Sequence, residues 1–96
     1  MAFNATDLTA TSTPSSHTFT TDGTVLIGLQ VANTSTIGPA LVDITLRGKY
    51  ILRNGVIPYG SSLSVIDGKL IAGNGDVLQV STDGEPVDVI ISYLEG

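Results

Sequence analysis

Residues 40–47 alternate between an apolar and a mostly polar set: Ala40, Val42, Ile44 and Leu46 fall on one side, Leu41, Asp43, Thr45 and Arg47 on the other. That period of two sends one face of a β-strand into a core and leaves the other wet. The same period runs through 25–32, where Val25, Ile27, Leu29 and Val31 alternate with Leu26, Gly28, Gln30 and Ala32, and the first set is expected to face the core. Residues 18–21 form a shorter β-prone piece that ends at the Asp22-Gly23 turn signal, and 33–39 (NTSTIGP) has the composition of a loop. Arg47-Gly48-Lys49 is expected to turn the chain into Tyr50-Ile51-Leu52-Arg53, and Asn54-Gly55 is a two-residue hairpin signal.

From Ile57 to Glu95 short β-branched runs are cut at close intervals by Gly, Pro, Asn and Asp. Strands are expected over 62–66, 69–72 and 77–81, separated by turns at Asp67-Gly68 and Gly73-Asn74-Gly75-Asp76. Pro58 has no amide hydrogen for a ladder, so its segment belongs at a sheet edge or a strand start. Residues 87–94 are apolar except for Asp88 and Ser92, which predicts a central strand buried on both faces. No window carries the i, i+3, i+4, i+7 spacing of an amphipathic helix. The expected fold is all-β: a two-sheet β-sandwich of about 7–8 short antiparallel strands, jelly-roll or Greek-key in connection, with an extended N-terminal arm. Residues 1–16 form that arm, rich in Thr and Ser and broken by Pro14, and 17–96 form a single β-sandwich domain.

Composition narrows the partners. In 96 residues there are nine acidic and four basic side chains, a net charge of −5, which disfavours contact with nucleic-acid phosphates and with anionic membrane surfaces. The N-terminus lacks the basic and apolar regions of a signal peptide, and no run approaches a membrane-spanning helix. Without Cys the fold rests on packing or assembly. A mean hydropathy of +0.33 with only 14% charged residues leaves apolar surface that other subunits would cover. The four bases, Arg47, Lys49, Arg53 and Lys69, all lie between 47 and 69, whereas six of the nine acids lie from Asp67 onward. If a hairpin gathers Arg47, Lys49 and Arg53, that edge meets an acidic patch on a neighbouring copy; the plainer reading is that these charges blunt an exposed edge strand.

Chemistry finds little purchase. His17, the one histidine, sits in the polar stretch SSHTFTT and reads first as a solvated loop residue, and no G-x-S-x-G elbow exists to make a triad of it. Asp83, Glu85 and Asp88 are hard-oxygen donors of the kind calcium takes, but a solvated acidic loop is the plainer reading. Asn4-Ala5-Thr6 and Asn33-Thr34-Ser35 match the glycosylation pattern and are set aside for want of a secretory signal. No enzyme activity, cofactor or metal is expected.

Four stretches carry a resemblance: V-A-N-T-S over 31–35, I-P-Y-G-S-S-L-S-V-I-D-G-K-L over 57–70, G-D-V-L-Q-V over 75–80 and D-V-I-I-S-Y-L-E over 88–95. In the order of turns and strands across about residues 25–95 the chain is similar to small structural proteins of tailed bacteriophages, notably phages of cyanobacteria and other aquatic bacteria. The resemblance implies a virion component on the capsid surface, made in the host cytoplasm. Size favours a capsid decoration (cement) protein, a homotrimer that binds the major capsid protein and ties neighbouring shell subunits together. A neck, tail or fibre component is the alternative, and a carbohydrate-binding β-sandwich is a second. Under the decoration reading the expected contacts are in the arm and its continuation (Phe3, Leu8, Pro14, His17), on the basic hairpin (Arg47, Lys49, Arg53) and at the edge marked by Pro58 and Tyr59.

Overall fold

In the computed structural model, which describes residues 2–35, 37–65 and 70–95, the chain pairs with itself from its two ends inward. The strands β1 (Ala2–Ala10) and β2 (Ser15–Thr18) pair antiparallel with β9 (Val87–Glu95) and β8 (Val77–Thr82), so that Ala2 faces Glu95 and Ser15 faces Val80. Next inward, β3 (Thr24–Asn33) pairs with β6 (Ser62–Ser64) and β7 (Leu70–Ala72), and β4 (Ala40–Leu46) with β5 (Lys49–Ile57). These pairs nest like parentheses around Arg47-Gly48. Two further ladders, β3 with β9 and β4 with β8, fold this long ribbon across itself into two sheets, β1-β9-β3-β6 with β7 also on β3, and β2-β8-β4-β5. A ribbon wound this way is a jelly roll, and the all-β sandwich expected from strand spacing is the fold, with nine strands among the described residues.

The ribbon turns at its tip because Arg47 and Gly48 both adopt left-handed backbone, φ 54° and 76°, the conformation of a two-residue hairpin turn whose twist matches its strands. Leu46 and Lys49 close the ladder beside it. The hairpin expected at Asn54-Gly55 does not exist. With Arg47-Gly48 already turning the chain, β5 runs straight through the pair, and the left-handed Asn54 (φ 52°) serves a β-bulge in which Arg53 and Asn54 together oppose Asp43. The Asn54 amide donates to Asp43 Oδ1 at 2.7 Å. A second irregularity at Ile51 bends the same strand.

Between the sheets lies a core of Val, Leu and Ile with Phe19, Tyr93 and small alanines. β4 buries Ala40, Val42, Ile44 and Leu46, as its alternation predicts. On β3 the phase changes partway: Leu26, Leu29 and Val31 are buried, while Val25 is half-buried and Ile27 is 37% exposed. Ile27 is the extra residue of a bulge against β9, where Leu26 faces Tyr93 and Gly28 faces Ser92, and one inserted residue swaps the faces of everything before it.

Two other expectations change. Residues 2–10 are extended but do not form a free arm: their backbone pairs residue for residue with β9, Ala10 is buried, and the boundary proposed at residue 16 falls inside β2. Nine ladder pairs and the apolar flank of β9 give the segment a partner within its own chain. β9 is central, as expected, but not buried on both faces: Val87, Val89, Ile91 and Tyr93 point inward while Asp88 and Ile90 are exposed, because none of the described residues covers them on the outer face of this sheet. The turn expected at Asp67-Gly68, and the parts of the 62–66 and 69–72 strands at Ile66 and Lys69, lie outside the described residues.

Candidate functional site

One edge of the second sheet is β5, and its exposed side chains are Lys49, Tyr50, Arg53, Asn54 and Val56. The Arg53 guanidinium lies 5.2 Å from the centroid of the Tyr50 ring, within cation–π range, and Tyr50 is 57% exposed. Just beyond the strand, Pro58 and Tyr59 are exposed, so the proline sits where its missing amide hydrogen costs the ladder nothing. Asn33 anchors this corner. It is 3% exposed, and its Nδ2 donates to the carbonyls of Ile57 (2.8 Å) and Gly38 (3.1 Å) while Oδ1 accepts from the Ser35 amide at 2.8 Å. Its backbone amide donates to Ser61 O and its carbonyl accepts from the Gly60 amide. One asparagine on β3 thus holds the end of β5 and the loop bearing Tyr59, which is why it cannot serve as a surface glycan acceptor.

The Arg47 side chain turns away from this edge. Nη1 donates to Ile71 O and pairs with Asp76 Oδ2, both at 2.9 Å. Asp76 also accepts the Gly73 amide at 2.7 Å; this bond, reinforced by the Arg47 guanidinium, holds its carboxyl below the ordinary value of 3.8. Arg47 therefore clamps the tip of the ribbon to the 73–76 turn, and the gathering of Arg47, Lys49 and Arg53 into one patch does not occur. Lys69 lies outside the described residues.

The N-terminal candidates are elsewhere. Leu8 is half-buried against the core, and Pro14 is exposed in the link between β1 and β2. His17 is no loop residue: it lies on β2 opposite Leu78, half-buried, with its ring centroid 4.8 Å from Phe19 and 5.7 Å from Tyr93. Phe3 is placed by its backbone opposite Leu94. β1 and β2 lie at one flank of the sandwich and β5 at the other, so the N-terminal candidates are separated from those along β5, and the Arg47 side chain belongs to neither group.

The acidic loop does not converge on a point. Asp83 Oδ1 accepts the Leu41 amide, Glu85 accepts the Ser35 hydroxyl, and Asp88 Oδ1 accepts from Thr9 Oγ1. Among the described residues no three His, Cys, Asp or Glu side chains are placed to share a metal ion. A surface that sequence reasoning missed is the outer face of the first sheet, where Ile71 and Ile90 are 56% and 50% exposed and a depression of about 250 Å³ is lined by Asp7, Leu8, Thr9, Asp88, Val89 and Ile90. The polar residues Asp88 and Ser92, which share a face with Ile90, were the available signal that this side of β9 is open.

No protein-family model and no curated protein matches the sequence. Among solved structures, the crystal structure of GITRL from bushbaby is similar with a TM-score of 0.48 at 18% identity, over 79% of this chain and 67% of that one.

Proposed function

We propose that this chain is a bacteriophage virion structural protein, a non-enzymatic capsid decoration protein that assembles as a homotrimer and binds the major capsid protein on the outer shell. The observation that carries the proposal is the amount of apolar side chain left in water on otherwise well-packed strands: Tyr50, Val56 and Tyr59 along the β5 flank, and Ile71 and Ile90 on the outer face of the first sheet. Large exposed apolar groups on two surfaces of so small a body are what a subunit that works among neighbours requires. The sequence resemblance to tailed-phage structural proteins supports the virion assignment. A decoration protein gains its hold from many modest contacts repeated over a lattice, and none of them needs a deep pocket.

The test is addition of the purified protein to expanded, undecorated capsids of the phage that encodes it, read by cryo-electron microscopy and by resistance of the shells to heat. Saturable density at fixed lattice positions and a raised disruption temperature are expected. Density confined to neck, tail or fibre in the intact virion would replace the decoration role with the alternative one. The exposed Tyr50 and Tyr59 rings favour one further reading, a carbohydrate-binding module, which glycan-array binding by the isolated protein would support.

A further inference from the structure

We infer that the β5 edge of one copy seats on the outer face of β1 and β9 of the next, with Arg53 and Tyr50 entering the depression beside Asp7, Asp88 and Ile90; this deepens the assembly reading above and rests on it.

The two surfaces complement each other in charge and in chemistry. On the receiving face Asp7 stands opposite Ile90 across the β1–β9 ladder, and Asp88 lies one row away, opposite Thr9. The Asp7 carboxylate has no hydrogen bond or ion pair among the described residues, where the one ion pair is Arg47 with Asp76. Half of Ile90 is in water although it belongs to a central strand, where solvent contact comes from an uncovered sheet face and not from an edge. The donating edge carries the opposite set. Arg53 and Lys49 have no carboxylate partner among the described residues, Tyr50 and Val56 are exposed beside them, and the nearby Asp43 accepts the Asn54 amide. Arginine stacked on tyrosine is the pairing that fills an apolar hollow rimmed by carboxylates, because the guanidinium is weakly hydrated and binds carboxylate with a fixed fork.

One copy cannot make this contact with itself. β1 and β9 lie at the flank of the first sheet that stands over β2, while β5 ends the second sheet at the opposite flank. Two different surfaces therefore meet, a heterologous contact that generates a closed ring when its rotation closes. The ring also covers an exposed edge strand, the feature that most needs covering in a sandwich.

The experiment is a charge exchange read by native mass spectrometry and sedimentation velocity of the full chain over a range of protomer concentrations. Asp7→Arg and Arg53→Asp are each expected to weaken assembly by about tenfold or more, since like charges then face each other, and the double variant to recover most of the loss. Raising the salt should weaken the wild type and the double variant and relieve the singles. Both positions are exposed, so thermal unfolding of the dissociated variants should match that of the dissociated wild type. A wild type monomeric at every concentration, single variants that assemble like it, or a double variant no better than the singles would overturn the interface. A monomer that still saturates shells would refute this contact and leave the decoration role standing, whereas a ring that never binds shells would do the reverse.

Discussion

Replacing Asn33 tests the corner that holds the β5 flank in place. The side chain makes three hydrogen bonds, two of them buried, to Ile57 O, Gly38 O and the Ser35 amide. Asn33→Ala removes all three and leaves their partners in a site with little water. At about 1 kcal/mol net per bond, and about 1–3 kcal/mol where a buried group is orphaned, the loss should be about 2–4 kcal/mol. For a domain of this size that lowers the melting temperature by about 10–25 °C. Asn33→Asp keeps the volume and sets an oxygen against two carbonyls, so at neutral pH it should cost at least as much as the alanine. Its carboxyl gains a proton more readily in the folded state than in the unfolded one, so the gap between the Asp and Ala variants should narrow as pH falls through that raised value. Urea unfolding followed by circular dichroism and tyrosine fluorescence, at matched protomer concentration, measures both. Exchange of the amides flanking Pro58 should rise in step. An Asn33→Ala loss under about 1 kcal/mol, or an Asn33→Asp variant as stable as wild type at pH 7, would refute the account.

Four further outcomes follow from the same geometry. Leu26→Ala should cost about 2–5 kcal/mol and Ile27→Ala under about 1 kcal/mol, because the bulge puts Leu26 inside and Ile27 out; equal losses by urea unfolding would place the bulge wrongly. Gly55→Ala would bring a new Cβ within 2.6–2.8 Å of the Leu52 side chain, so a loss of about 1–3 kcal/mol is expected, and a neutral substitution would mean that Leu52 moves freely. Asp76 has a lowered carboxyl, so what it contributes is present above the unfolded value of 3.8 and is lost as pH falls through the folded one; the melting temperature of wild type should drop more steeply below pH 4 than that of Asp76→Asn. Deleting residues 2–10 should leave little folded monomer by circular dichroism, since it strips nine ladder pairs from β9 and opens the flank of Val89 and Ile91; a stable truncated body would restore the free-arm picture.

Local signals served well where one residue answers to one neighbour. The turn at Arg47-Gly48, the alternation of β4 and the edge position of Pro58 follow from backbone freedom, side-chain period and a missing amide hydrogen, all properties of the residues themselves. They failed where two strands negotiate a register. Asn54-Gly55 carries the chemistry of a left-handed turn, and a left-handed residue serves a bulge equally well; the choice was made by Arg47-Gly48 having already reversed the chain. Asn33 read only as the first residue of a loop because nothing near it in sequence reveals the Ile57 carbonyl, 24 positions away, that it binds.

The β class of the chain, the lack of helix among the described residues and the acidity were thus legible from the residues alone, because strand period, turn chemistry and charge are local or additive. Which faces of β3 and β9 are wet was decided only in three dimensions. A single inserted residue in β3 exchanges inside for outside, and an apolar run such as that in β9 looks the same whether one neighbouring sheet covers it or two. The segment over 2–10 shows the same limit: with no Val or Ile and no clear alternation, it reads as part of a loose arm until β9 supplies the hydrogen bonds that make it a strand. Register and coverage are properties of pairs of elements, and the pairing here joins residues from opposite ends of the chain.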